Sequence, residues 1–250
     1  MILILKSERK AVILDTVNRE QVVSLEELVR ILSTSESTVR RDLDQLEAEG
    51  KLKRVHGGAR SLRSLQDEET IQQKSIKNRD EKRRVAEKAV SLIQDQDVIF
   101  VDAGTTNELL IDLLQDRTVT VVTNSIHHAA KLVERGMKTV IIGGMVKTAT
   151  DASIGGAALN QIGQLNFDKA FIGMNGIDES FITTPEMEEG AVKRAIIENA
   201  GKTYVLVDSS KIGKQSFVKV APIKRVSVIT NSSSSEVLEK IRGKTEVIEV

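Results

Sequence analysis

The run Ser35-Glu36-Ser37-Thr38-Val39-Arg40-Arg41-Asp42-Leu43 constrains this chain most, because it splits a short helix into an apolar face and a polar, basic one. Ser35 is a natural N-cap, set just before the apolar repeat of Val39, Leu43 and Leu46 begins. With Val39 at zero and about 100° per residue, Leu43 falls near 40° and Leu46 near 340°. On the same wheel Ser37 (about 160°), Arg41 (about 200°) and Gln45 (about 240°) point away from that stripe, and Arg40 (about 100°) sits on its flank. One side suits a core and the other a phosphate-rich partner. The candidate contacts to double-stranded DNA are therefore Ser35, Ser37, Thr38, Arg40, Arg41 and Gln45.

Upstream, Ser24-Leu25-Glu26-Glu27 has the Ser-x-x-Glu form of a capping box and predicts a second amphipathic helix through Leu28, Ile31 and Leu32. Glu8 to Asn18, with Val12, Ile13 and Val17, supplies a supporting first helix. Downstream, Gly50 ends the basic helix, and Lys51-Leu52-Lys53-Arg54-Val55-His56-Gly57-Gly58-Ala59 alternates like a short hairpin. Two capped helices followed at once by a basic ribbon predict a winged helix-turn-helix over residues 1–60, with Lys53, Arg54, His56 and Gly57 as wing contacts to DNA. The stretch TVRRDLDQLEAEGKLKRVHGGA resembles the N-terminal signature of the DeoR family of bacterial transcriptional regulators.

A chain of 250 residues leaves room for a second, larger core after that unit. Its 36 Lys and Arg balance 36 Asp and Glu, so no global positive field draws it to nucleic acid, and DNA binding must come from local geometry and oligomeric pairing. The lack of cysteine excludes disulfides and thiolate metal sites and fits the cytoplasm. The apolar opening Met1-Ile2-Leu3-Ile4-Leu5 is far shorter than a signal sequence, and no run reaches the roughly 18 apolar residues of a membrane span. Residues 61–77 are polar with sparse apolar positions (Leu62, Leu65, Ile71, Ile76) and read as an exposed linker.

From residue 78 to 250 strand-like and helix-like runs alternate, after an opening helix placed at Arg84 to Ile93. Strands are expected at Asp97 to Val101, Thr118 to Val122, Lys138 to Ile142, Lys169 to Ile172, Thr203 to Val207, Val226 to Ile229 and Glu246 to Val250. Helices are expected at Glu108 to Leu114, His127 to Glu134, Glu188 to Asn199 and Glu236 to Ile241. The fold class is α/β, with a mostly parallel sheet covered on both faces, in which ligands sit beyond the carboxyl ends of the strands.

The residues at those ends are glycine- and hydroxyl-rich. Asp102, Gly104, Thr105 and Thr106 enter a helix whose first N–H groups favour a phosphate, and Thr123, Asn124 and Ser125 follow the next strand. Gly143 and Gly144, then Asn175 and Gly176, follow two more. Each loop alone is an ordinary capped turn; together they predict a small anionic ligand. Glu189 and Lys193 form an i,i+4 pair that is equally typical of a surface ion pair, and Lys211, directly after a strand and Asp208-Ser209-Ser210, is the better phosphate ligand. Phe217 and Lys219 lie in an irregular segment that could close over the site.

The whole chain resembles the DeoR family, and the resemblance implies a second domain similar in fold to ribose-5-phosphate isomerase, sensing a phosphorylated sugar. It further implies a homo-oligomeric repressor, a dimer or tetramer, released from operator DNA by a catabolic intermediate, with a sugar-phosphate effector and no cofactor. GMNGID, TTPEMEEGAVKRA and VDSSK look most like the fructose-operon repressor branch, which implies fructose 1-phosphate. One departure is Glu189-Gly190, where many members have Glu-Ala. The rival reading is an isomerase using Glu189, Asp208 and Lys193 for proton transfer, which the stretch Asn175-Gly176-Ile177-Asp178 disfavours because the isomerases have a dense acidic loop there. A structural DNA-binding protein would leave the converging loops unexplained. His127 and His128 diverge by about 100° on a helix and make no metal pair.

Overall fold

A computed structural model describes residues 5–62, 64–114 and 118–250, excepting the side chain of Arg19; the opening Met1-Ile2-Leu3-Ile4 lies outside them. The chain divides into two compact units, residues 1–64 and 65–250.

The first unit runs α1 (Lys6–Glu20), β1 (Val22–Ser24), α2 (Leu25–Leu32), α3 (Glu36–Ala48), β2 (Leu52–Val55) and β3 (Gly58–Ser61). The apolar stripe of α3 does what its spacing requires: Val39, Leu43 and Leu46 are fully buried against Ile13 and Val17 of α1 and Leu25, Leu28 and Leu32 of α2. Ile31, expected in that stripe, is exposed; Leu25 takes its place. Ser24 and Ser35 cap their helices by accepting from Glu27 N at 3.2 Å and Thr38 N at 3.3 Å. Asp42, also on the inner side of α3, is buried and paired with the Arg9 guanidinium at 2.5 Å, tying α1 to α3. After α3, Gly50 takes φ 65°, the left-handed conformation that stops a helix at low cost.

The hairpin is wider than its sequence suggested. β2 and β3 pair through a two-residue turn at His56-Gly57, and β1 adds a third strand on the far side of β3. Gly57 has φ 79° and open space around it, whereas a Cβ on Gly58 would lie 2.1 Å from the Val23 carbonyl oxygen of β1. The close approach at Gly58 is thus to the chain's own sheet. Gly57→Ala should cost about 1 kcal/mol for a left-handed Ala. Gly58→Ala should cost about 3 kcal/mol, at the upper end for overpacking. Urea unfolding followed by helix signal from the first unit measures both, and equal losses would contradict the role given to β1.

The second unit opens with α4 (Ile71–Ser75) and α5 (Arg79–Ser91), then β4 (Val98–Val101), α6 (Thr105–Leu113), β5 (Thr120–Thr123), α7 (Ile126–Glu134) and β6 (Lys138–Ile141). It continues through β7 (Met145–Lys147), β8 (Ala152–Ile154), α8 (Gly156–Ile162), β9 (Phe167–Gly173), β10 (Gly176–Ile177), β11 (Phe181–Thr184) and α9 (Met187–Glu198). Last come β12 (Ala200–Leu206), β13 (Val218–Pro222), β14 (Ser227–Thr230), α10 (Glu236–Arg242) and β15 (Val247–Glu249), with short 3-10 turns at Ser209–Lys211 and Ile223–Arg225.

Seven strands form one parallel sheet in the order β15-β14-β12-β9-β4-β5-β6. Successive residues of β4 go to opposite faces: Phe100 packs with Val192 and Ile196 of α9 and Leu238 and Ile241 of α10, while Ile99 and Val101 pack with Val85 and Ala89 of α5 and Leu110 of α6. The chain leaves β4 towards β5 and β6 on one side and later returns towards β9, β12, β14 and β15 on the other. Strand order therefore reverses between β4 and β9, and in open parallel sheets the crevice that takes ligands lies at the carboxyl ends of the strands at such a reversal. An antiparallel sheet, β10-β11-β13, and the β7-β8 hairpin accompany it; alternation of strands and helices gave no sign of either.

Residues 61–77 are not simply an exposed linker. The second unit begins at Leu65, α4 forms within this stretch, and the Glu68 side chain is 9% exposed because Lys74 and Lys147 hold it. Opposite charge, which an apolar count does not register, attaches the segment.

Candidate functional site

On the first unit, the outward face of α3 carries Ser37, Arg41 and Gln45, all exposed as the helical arithmetic required. Ser35 is committed to capping, and its hydroxyl also lies 3.1 Å from Ser37 Oγ and 2.8 Å from Thr38 Oγ1. Arg40 folds back onto Glu36, with Nε 2.9 Å from the carboxylate, while Arg41 has no ion-pair partner among the described residues. In the wing, Lys53 and His56 are exposed, but Arg54 turns inward to Asp44 and its N–H donates to Glu47 at 2.8 Å. Arg54 thus ties the ribbon to α3 through a partly exposed ion pair. Arg60, exposed and directly across from Lys53, adds to the basic surface. It was missed because the ribbon was read as ending at Ala59.

In the second unit the crevice is organised by a buried ammonium. Lys193, 2% exposed on α9, contacts the Asp102 carboxylate after β4 and donates to the Gly173 carbonyl at the end of β9 at 2.9 Å. Gly173 N donates back to Asp102 Oδ2 at 3.2 Å, so one cation pins the two strands on either side of the reversal. Glu189 lies one turn before Lys193, 3.6 Å from it, and its other oxygen takes Lys147 at 2.8 Å. Burial lowers the Lys193 pKa, but Asp102 and Glu189 more than offset this and it ends raised. Burial drives the Asp102 carboxyl up while Lys193 opposes it. The junction is an ammonium facing two carboxyl groups, and Lys193 and Glu189 organise the crevice from behind.

Three buried polar atoms beside this junction find no partner among the described residues: Asp102 Oδ1, Asn124 Nδ2 and the Oδ1 of Asn107, whose Nδ2 donates to the Asp102 carbonyl at 2.7 Å. Asn124 is held by its Oδ1, which accepts from Ala103 N at 3.0 Å. Such orphans are costly unless a ligand or water meets them. Beside them Gly104, at φ 149° with nothing within 4 Å, starts α6, whose first N–H groups at Thr105 and Thr106 face outward from the helix end. Thr105 Oγ1 is 3.1 Å from Lys82 Nζ, and Lys82 also donates to the Lys74 carbonyl at 2.5 Å. Lys82 is buried, with its pKa lowered first by that burial. Its position on the Val85-Ala86-Ala89 stripe of α5 could have revealed it, had the helix not been started at Arg84.

Lys211 stands in the turn after β12, near Asp208, which accepts from Asn78 Nδ2 at 2.8 Å. Burial lowers its pKa to about 8, and its ammonium makes no hydrogen bond or ion pair among the described residues. An unpaired, desolvated ammonium beside Asp208, whose charge Lys82 also feels, is suited to a phosphate.

Several expected contacts also have partners within the fold. Thr123 Oγ1 accepts from Ser125 N at 3.1 Å, and Ser125 Oγ caps α7 by accepting from His128 N at 3.2 Å. Gly143 is bonded through both backbone groups to Gln161, at 3.1 and 3.2 Å, and a Cβ on Gly144 would lie 2.7 Å from Ile154 O. A Cβ on Gly176 would meet the Lys214 carbonyl at 2.3 Å, so the approach it permits is internal. Asn175 stays in the crevice, accepting from Thr184 Oγ1 at 3.2 Å. Gly190 lets α9 pack on β13, since a Cβ there would be 2.8 Å from Val218 Cγ1. Phe217 and Lys219 stay exposed, Lys219 over the Phe181 ring at 4.5 Å. His127 is exposed beside Asp151 and His128 is buried with its pKa near 4, lowered by burial, so the adjacent pair does diverge. Among the described residues no three metal-ligating side chains gather, and no helix is long and apolar enough to cross a membrane. A basin of about 220 Å³ lined by Lys202, Lys224 and Arg225 lies at the opposite, amino ends of β12 and β14.

Both units match known family models: a DeoR-like helix-turn-helix domain over residues 9–65 and a DeoR C terminal sensor domain over residues 77–232. The chain is 40% identical over 245 residues to the uncharacterized HTH-type transcriptional regulator FruR of Bacillus subtilis, covering 97% of this chain and 98% of that protein. It is 34% identical over 248 residues to the lactose phosphotransferase system repressor of Staphylococcus epidermidis, covering 97% and 99%. Among solved structures, ribose 5-phosphate isomerase A of Methanocaldococcus jannaschii superposes loosely, with a TM-score of 0.41 and 24% identity over 54% of this chain and 55% of that one.

The free and the engaged arginine of α3 should behave differently on DNA. Arg41→Ala should reduce discrimination between an operator and a mutated operator by about 1 to 3 kcal/mol. Arg40→Ala should weaken binding to all DNA alike and lower the salt slope. Fluorescence anisotropy titrations at several salt concentrations separate the two; equal losses of specificity would contradict the assignment.

Proposed function

Because the chain belongs to the DeoR family of transcriptional regulators, we propose that it is the repressor of a sugar-catabolism operon, relieved when its second unit binds a phosphorylated sugar. It acts as a cytoplasmic homo-oligomer, since paired half-sites on DNA call for paired helices. The name of the staphylococcal relative, a lactose phosphotransferase system repressor, supports the sugar class. The effector that fits best is fructose 1-phosphate, on the strength of the segments GMNGID, TTPEMEEGAVKRA and VDSSK.

One observation carries the ligand reading: the orphaned Asp102 Oδ1 and Asn124 Nδ2 lie beside a helix N-terminus that Lys82 already faces. The phosphate goes to the N–H groups of Thr105 and Thr106 with Lys82 and Lys211, and sugar hydroxyls meet Asp102, Asn124 and Asn175. The chain is a regulator and not an enzyme. The residues an isomerase would need are also engaged: Lys193 and Glu189 hold each other and their neighbours, and Asp208 accepts from Asn78 and from Ser210 N at 3.1 Å.

Calorimetry with fructose 1-phosphate and with fructose should find the phosphorylated sugar bound much more tightly. Lys211→Ala should remove a charge-assisted contact of about 1.5 to 3 kcal/mol while operator binding persists. Comparable affinity for both sugars would refute a phosphate-anchored site.

The lowered Lys211 pKa also sets a pH dependence. Its ammonium is largely present at pH 7 and lost as pH rises through about 8, so affinity should fall by about tenfold between pH 7 and pH 9. Lys211→Arg, which stays charged, should flatten that profile. A pH-independent affinity in the unaltered protein would place the phosphate elsewhere.

A further inference from the structure

Glu68 has no part in the site described so far, yet it is the outermost carboxylate of an alternating line of charges. Its Oε1 accepts from Lys74 Nζ at 2.8 Å and lies 3.4 Å from Asn175 Nδ2; its Oε2 contacts Lys147. Lys147 in turn holds Glu189, and Glu189 faces Lys193, which holds Asp102. A buried carboxylate therefore sits on cations and an amide at the edge of the ligand crevice, where an anionic, hydroxylated ligand would find its own partners.

The segment bearing Glu68 is fastened mainly by polar contacts. α4 has no buried residue, and Leu65 and Ile76 are exposed. Its bonds to the rest of the unit include Ile71 N to Ala149 O at 3.1 Å and Phe217 N to Leu65 O at 3.0 Å. Burial opposes the charge on Glu68, but Lys74 and Lys147 hold its carboxyl at about 2, well below the usual range, so it stays ionised. Attachment of this kind is open to competition by a stronger anion.

We propose that Glu68 is a built-in competitor for the effector. A phosphate arriving beside Lys82 and Lys211 draws Lys74 away from Glu68, since Lys82 Nζ already bonds the Lys74 carbonyl at 2.5 Å and so holds Lys74 next to the incoming anion. The sugar hydroxyls take over Lys147 and Asn175, and residues 65–77, continuous in sequence with the DNA-binding unit, are released. Exchange of one anion for another converts ligand binding into loss of order at the start of the sensor. The inference rests on the sugar-phosphate reading of the same crevice.

The test uses the full chain, with fructose 1-phosphate and inorganic phosphate as probes. In the unaltered protein, hydrogen exchange of residues 65–77 should accelerate at least severalfold when fructose 1-phosphate binds. Calorimetry on Glu68→Gln should find fructose 1-phosphate bound about three- to tenfold more tightly, with a smaller gain for inorganic phosphate. Slower exchange on binding, or equal or weaker binding by Glu68→Gln, would mean that Glu68 clamps the ligand or is indifferent to it, and would overturn the proposal while leaving the sensor reading intact. If neither probe bound either protein, the sensor reading would fail and this inference with it. The exchange measurement on the unaltered chain decides independently of how well the variant folds.

Discussion

The second unit depends on where Lys193 places its charge. An ammonium 2% exposed is tolerated only if its partners meet it fully, because removing one member of a buried pair costs about 3 to 5 kcal/mol. That requirement fixes Asp102 and the Gly173 carbonyl at the ends of β4 and β9, the two strands between which the order reverses. Core packing on both faces brings the strands together, but it does not specify how their ends are arranged. The buried charge does, and in doing so leaves Asp102 Oδ1 without a partner in the crevice.

The same logic separates the charges that build the molecule from those available to partners. On the first unit, Arg9 and Arg54 are engaged by Asp42 and Asp44, leaving Arg41, Lys53 and Arg60 exposed. In the second, Lys193 and Lys147 are saturated by carboxylates, while Lys211 is desolvated and unpaired. A chain whose formal charge sums to zero thus keeps some cations, such as Arg41 and Lys211, out of ion pairs with its own acids among the described residues.

Much of this was legible in the sequence where one periodic signal decides the outcome. Val39, Leu43 and Leu46 determine which side of α3 is buried, and the outward places of Ser37, Arg41 and Gln45 follow from rotation alone. The alternation of strands and helices likewise gave the parallel sheet. What the sequence did not show is pairing across the fold. Arg54 reads as a free wing cation until Asp44 faces it, and Gly144 and Gly176 read as ligand loops until the carbonyls pressed against them are seen. Glu68 lay in a stretch dismissed as a linker because its burial comes from lysines, one of them 79 residues away. Lys82 needed only an earlier helix start.

The account turns on the crevice that Lys193 organises being the place where a phosphorylated sugar controls DNA binding. The most direct measurement is the operator dissociation constant as fructose 1-phosphate is added, for the unaltered protein and for Lys193→Met. The unaltered protein should lose at least about tenfold in operator affinity, a coupling of about 1.4 kcal/mol. Lys193→Met should bind the operator as before, because the first unit has its own core, and should not respond to the sugar phosphate. An unaltered protein indifferent to the sugar phosphate, or a Lys193→Met variant that responds as fully as its parent, would contradict the account.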